Sequence, residues 1–405
     1  MKKNPFITLI SFFIILASFF LLLSEQKNVF AEIHSIYDTS VLEALTLDGD
    51  SIIKVRTKQK EIVENLNFTN TASHIKTPEK VHALYMSSWV AGTPSVRDGI
   101  LKIIDESEDL NALVVDIKDS TGVVSFEIQT PLALKYGTGS TRIADIEGFV
   151  NLVHEKNIYL IGRISTFQDP VLTEKRNDWA LKRIDNGGIW KDNNGLAFID
   201  PGKAEAWEYI KEISLEAYRV GFDEINFDYI RYPSDGPLRN LNYALPEGET
   251  RVSSLRKFFQ YLDLELRQNN NIPISADIFG LATSAEDDLG IGQFFEEIYP
   301  YFDYVAPMVY PSHYGPGTFG FPDPEIKPYE VVKMGMESAI RRATALGITE
   351  DQNPYRKLRT WIQDFSLRVP YGLKEVTDQI KASREAGIDS FMVWNASNIY
   401  TKKAY

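Results

Sequence analysis

Phe222-Asp223-Glu224-Ile225-Asn226-Phe227-Asp228-Tyr229-Ile230-Arg231-Tyr232-Pro233 reads as a strand that ends in charge. Successive strand side chains point to opposite faces. Ile225 and Phe227 therefore share one face, and Glu224, Asn226 and Asp228 share the other. An apolar face backed by a polar one suits a strand with helices outside and a barrel axis inside. Gly221, just upstream, marks the end of the preceding helix. An acid at the top of such a strand is costly to bury unless it is paired or used. Arg231, three residues on, is its expected partner, and a structural Asp228–Arg231 pair at the barrel mouth is the alternative to a working carboxylate.

Outward from this strand the same alternation recurs. Strand-length apolar runs fall at Val81–Met86, Ala112–Ile117, Tyr159–Ile164, Glu224–Tyr229, Ile274–Phe279, Tyr304–Val309, Arg359–Gln363 and Ser390–Trp394. Amphipathic helical stretches separate most of them: Val96–Asp105, Ile143–Lys156, Lys203–Val220, Val252–Gln268, Tyr329–Leu346 and Lys374–Ala386. Eight βα units in series predict a closed (β/α)8 TIM barrel over residues 78–405. The alternative, an open doubly wound sheet, calls for a Gly-rich phosphate loop after the first strand, and none is there. The connection from Ser165 to Pro201 is long for a compact barrel, and its place after a strand predicts that it stands on the C-terminal rim.

That rim is where barrel chemistry sits. Ser275 and Asp277 share a face on the fifth strand, so Asp277 is expected beside Asp228. Two carboxylates on neighbouring strand ends are what glycoside hydrolysis needs, one to give a proton and one to attack or to activate water. Capping of the next loop or cation binding is the other role open to Asp277. Asp116 and Lys118 share parity on the second strand and are expected to form an inward ion pair or to hold substrate. Arg163 on the third strand and Arg231 past the end of the fourth are further substrate-binding candidates. Tyr310 and His313 follow the sixth strand, Gln363 ends the seventh beside Trp361, and Trp394 ends the eighth. Aromatic rings in such places suit the apolar faces of sugars.

Composition narrows the classes. A net charge of −13 without a Lys/Arg block argues against nucleic acid as a partner. There is no Cys, so disulfides, thiolate catalysis and Cys-ligated zinc are excluded. The five His include no pair at helical metal-ligand spacing, and neither a metal nor a cofactor is expected. Lys2 and Lys3, the apolar run Phe6–Leu23 and Val29-Phe30-Ala31 predict a secretory signal over residues 1–31, cleaved after Ala31. An uncleaved membrane anchor is the alternative, since the run is near spanning length. Residues 32–77 are expected to be a linker with a short strand around Ser51–Val55. Either way the barrel is expected outside the cytoplasm, secreted or at the cell surface.

Phe227-Asp228-Tyr229-Ile230-Arg231-Tyr232-Pro233, supported by Ala306-Pro307-Met308-Val309-Tyr310, resembles the fourth and sixth strands of glycosidase-like barrels from exported bacterial proteins. The resemblance covers roughly Val81 to Trp394 and implies a carbohydrate-active barrel with Asp228 in the catalytic position. A weaker similarity links Asp223, Asn226, Asp228, Met308, Tyr310 and Trp394 to family-18 chitinases. Their acid Glu is missing here, where Ile230 and Arg231 stand, so acetamide-assisted chemistry is not carried over. The expected function is hydrolysis of a cell-envelope or extracellular polysaccharide. The alternative is a surface barrel that binds a glycan without cutting it.

Overall fold

The computed structural model of the chain describes residues 72–347 and 354–405. The expected signal or anchor, the Ser51–Val55 strand and most of the linker lie outside the described residues.

Eight strands close into a barrel: β1 (His82–Met86), β2 (Ala112–Lys118), β3 (Tyr159–Ser165), β4 (Glu224–Asp228), β5 (Ile274–Phe279), β6 (Tyr304–Met308), β7 (Thr360–Gln363) and β8 (Phe391–Trp394). Every pairing is parallel, and β8 closes on β1 with Phe391 opposite His82 and Val393 opposite Leu84. The principal outer helices are α1 (Pro94–Glu106), α2 (Ile146–Glu155), α3 (Ala204–Val220), α4 (Arg251–Leu262), α5 (Pro328–Ala345) and α6 (Leu373–Glu385). On α3, Ala206, Tyr209, Ile210, Ile213, Ala217 and Val220 form the buried stripe expected at helical spacing. Gly221 ends α3 at φ +113°, and a Cβ there would stand 2.6 Å from Val150. A left-handed C-cap with no side chain is what this turn into β4 requires.

Strand parity splits the core in two. Leu84, Leu113, Val115, Leu160, Ile225 and Phe227 pack outward under the helices. Ala83, Tyr85, Val114, Ile161, Tyr310, Trp361 and Met392 fill the barrel interior. At its N-terminal end Glu224 pairs with Arg359 at 2.7 Å and accepts from the Tyr159 hydroxyl at 3.0 Å. Residues 72–77, expected as linker, lie on this end. Ile75 N donates to Asp223 Oδ1 at 2.7 Å, Thr77 Oγ1 is 2.9 Å from the Tyr159 hydroxyl, and His74 stacks on Tyr218 at 3.8 Å.

The long connection after β3 carries a small core of its own. Trp179, Leu181, Trp190, Phe198 and Ile199 are buried, and the Trp190 indole N–H donates to the Pro237 carbonyl at 3.2 Å. Each such side chain contributes roughly 1.5–3 kcal/mol by leaving water. Lys182–Arg183 pairs with Leu241–Asn242, which ties this loop to the one after β4. The connection is thus a packed wall on the C-terminal rim.

Candidate active site

Strand register brings the rim acids together. Arg163 on β3 lies opposite Asp116 on β2 and Asn226 on β4. Its Nη1 donates to Asp116 Oδ1 at 2.6 Å, and Nη2 and Nε donate to Asp228 Oδ2 at 2.5 and 3.2 Å. The Tyr85 hydroxyl completes Asp116 by donating to Oδ2 at 2.5 Å. Burial works against the Arg163 charge, but Asp228 and Asp116 raise its pKa well above the ordinary value. Asp228 Oδ1 accepts from its neighbour's amide, Tyr229 N, at 2.6 Å. Tyr229 holds φ +53°, a left-handed conformation costly for an aromatic residue. That strained turn aims the Asp228 carboxylate and redirects the chain behind it.

Asp277 is built differently. Its Oδ1 accepts from Asn226 Nδ2 at 3.0 Å and from the Trp361 indole N–H at 2.7 Å. No described residue donates to Oδ2. Burial, and then the Asp228 charge, push its pKa up to about 8, against the lowering effects of Asn226, Trp361 and Arg163. The two acids thus hold opposite chemical positions. Every contact to Asp228 asks for an acceptor, whereas Asp277 keeps one oxygen free for a proton at neutral pH.

Two expected pairings are corrected. Arg231 does not pair with Asp228. After the Tyr229 turn its guanidinium lies between the Tyr229 and Phe279 rings, at 4.9 and 4.6 Å, and Arg163 takes the carboxylate. Asp116 and Lys118 do not pair either, because a register shift falls between them in β2. Lys118 turns to Asp169, at 3.0 Å, and donates to the Ser165 carbonyl.

Among the remaining candidates, Tyr310 is buried, and its hydroxyl pKa is raised well above the ordinary value by burial, Asp277 and Asp228. Trp394 is half-buried, 4.0 Å from the Tyr85 ring and 5.1 Å from the Arg163 guanidinium. His313 is exposed beside Tyr310, with Nδ1 2.9 Å from Ser312 Oγ. The Gln363 amide is committed to Ser312 N at 3.1 Å and the Phe365 carbonyl at 2.9 Å, so it shapes the loop that carries His313. Tyr85 is the member that sequence reasoning missed. Its parity with Ala83 on β1 was the available signal. Among the described residues no group of three His, Asp or Glu side chains is placed to hold a metal.

The site is a cluster of acids at the C-terminal strand ends of a closed parallel barrel. Residues 83–400 match the model of the family described as "Putative glycosyl hydrolase domain". The chain belongs to that family. No curated protein matches it. It is similar to a hypothetical protein from Ruminiclostridium thermocellum, with 32% identity over 51% of this chain and 98% of that one, at a TM-score of 0.44. It is also similar to the PgaB (BpsB) glycoside hydrolase domain from Bordetella bronchiseptica, with 12% identity over 78% of this chain and 94% of that one, at a TM-score of 0.53. The spore cortex-lytic enzyme SleL from Bacillus cereus matches with 12% identity over 80% of this chain and 73% of that one, at a TM-score of 0.46. At 12% identity the Bordetella likeness speaks for the fold alone.

Proposed function

We propose that this barrel hydrolyses a cell-envelope or extracellular polysaccharide, with Asp277 as proton donor and Asp228 as nucleophile or general base. The observation that carries the reading is the contrast between the two acids. Asp277 is pushed up to about 8 by burial and by the Asp228 charge, whereas Asp228 is held by three N–H donors. A carboxyl that can give a proton, paired with a second carboxylate, is a working arrangement of glycosidases. Asp277 would protonate the glycosidic oxygen as the bond to the anomeric carbon breaks. Asp228 would attack that carbon, or take the proton of the water that does. One water is consumed for each bond cut. Trp394, half-buried beside Arg163, offers ring surface for the sugar.

One observation favours the second reading, a barrel that binds glycan without cutting it. Asp277 is only 1% exposed, and Asp228 is engaged by Arg163. Incubating full-length protein with envelope and extracellular glycans, and measuring new reducing ends, decides between them. Release that is lost in Asp277→Asn, except for substrates with good leaving groups, supports hydrolysis. Tight binding with no release from any glycan supports the second reading.

A further inference from the structure

Four Lys or Arg side chains are buried among the described residues: Lys118, Arg163, Arg231 and Arg359. Three have a carboxylate in reach. Asp169 is 3.0 Å from Lys118, Asp116 and Asp228 are 2.6 and 2.5 Å from Arg163, and Glu224 is 2.7 Å from Arg359. Among the described residues no carboxylate lies within 4.0 Å of Arg231. It is 8% exposed, lies between the Tyr229 and Phe279 rings, and makes one hydrogen bond, from Nη1 to the Tyr232 carbonyl at 3.1 Å. A guanidinium carries five N–H donors, so most of this fork is unspent.

The acids whose fields reach Arg231 are engaged elsewhere. Asp228 is bound by Arg163 and Tyr229 N, Asp192 by Gln168 and the Asn194 and Leu196 amides, and Asp235 by the Asn193 amide. A buried cation without a counter-charge is costly. This one packs against two rings, at 4.9 and 4.6 Å, three residues past Asp228 on the rim. Such a fork matches a carboxylate or phosphate with two parallel hydrogen bonds.

We propose that Arg231 binds an anionic group on the sugar next to the scissile bond, so that the substrate is an acidic glycan bearing carboxylate or phosphate. This rests on the hydrolase reading of Asp228 and Asp277. With a net charge of −13, the protein surface as a whole does not gather polyanions. Recognition of charge would come from one desolvated guanidinium rather than from a basic patch.

The test uses the full-length chain, its Arg231→Met variant, which keeps length and stacking but loses the charge, and Arg231→Lys, which keeps the charge without the fork. Removing an unpaired buried cation leaves the Met variant at least as stable. The probes are polygalacturonate, its carboxyl-reduced neutral twin, and a glycosylated poly(glycerol phosphate). Affinity is read by calorimetry and cleavage by reducing ends. The wild type is expected to bind one acidic polymer roughly ten- to a hundredfold more tightly than the neutral twin, as charge-assisted hydrogen bonds allow. Arg231→Met is expected to erase that ratio and Arg231→Lys to keep part of it. Which acidic polymer responds tells carboxylate from phosphate. Failure to bind either acidic polymer, equal binding of the neutral twin, or an unchanged ratio in Arg231→Met overturns the assignment. Arg231-dependent binding without new reducing ends would refute hydrolysis but keep the acidic glycan. Cleavage of a neutral glycan without Arg231 dependence would do the reverse.

Discussion

Arg163 joins Asp116 to Asp228: one guanidinium donates to both carboxylates, at 2.6 and 2.5 Å, and so ties the end of β2 to the end of β4. Its removal would leave two buried acids, with Asp277 close by, and no cation between them. Arg163→Met is expected to destabilise the fold by about 3–5 kcal/mol, the usual result of orphaning buried charge. Arg163→Lys restores a charge but cannot reach both acids in the same plane. It is expected to recover part of the stability and little of the turnover. Denaturant midpoints and rates measured on both variants check this.

The proton on Asp277 sets the alkaline limit of activity. With its pKa pushed up to about 8 by burial and the Asp228 charge, turnover should fall as pH rises through that region and the donor is lost. The Trp361 indole N–H donates to Asp277 Oδ1 and holds that value down. Trp361→Phe removes the donor, so the alkaline limb should move to higher pH. A pH–rate profile of the two proteins reads the displacement. A shift to lower pH would contradict the hydrogen bond's role.

The same group links stability to pH. Its pKa is higher folded than unfolded, so the native state binds the extra proton between pH 4 and 8. Its contribution is full below about 4, the unfolded value, and is lost as pH rises through about 8. Glu212, raised to about 7 by burial, acts with the same sign. Asp277→Asn should therefore gain stability over wild type progressively from pH 5 to pH 9, as measured by urea midpoints. A constant difference across that range would count against the raised value.

At the opposite end of the barrel, Asp223 should matter for folding alone. It accepts from Ile75 N at 2.7 Å, Leu160 N at 2.8 Å and His154 Nε2 at 3.0 Å. Asp223→Ala leaves buried donors without partners and is expected to cost about 2–4 kcal/mol. The rate per folded molecule should stay at the wild-type value, since the rim is untouched. Melting temperature and active-fraction kinetics on one preparation separate the two effects.

The barrel was legible because both of its periods are written in the chain. Ile225 and Phe227 alternate with Asn226 and Asp228, and the α3 stripe recurs at helical spacing, so the strand limits and those of α3 fell within a residue, whereas α2 begins three residues later than expected, at Ile146, and α4 gives way at Leu262 to a π-helical stretch, Asp263–Gln268. Parity also put Asp228 and Asp277 on the inner face. It could not give partners. Parity assigns a face but not a height or a neighbour, so Arg163, sixty-five positions away from Asp228, lost out to nearby Arg231. The register shift in β2 sent Lys118 to Asp169, which no period-two pattern foresees. Tyr85 went unnoticed because an aromatic residue on a strand reads first as core, and its role appears only once Asp116 stands beside it. Residues 72–77 looked like linker because their polar composition hides the contacts they make with Asp223 and Tyr159.

The central claim is that Asp228 works on the substrate rather than merely closing the barrel mouth. Asp228→Asn keeps the shape and an oxygen acceptor for Tyr229 N but removes the charge that would stabilise an oxocarbenium-like transition state. The decisive measurement is turnover of a cleaved glycan together with melting temperature, on the same purified Asp228→Asn protein. The account predicts a folded protein that still binds the glycan on its aromatic rim and whose turnover falls by a factor on the order of a hundred or more. A stably folded Asp228→Asn protein that cleaves at the wild-type rate would contradict it.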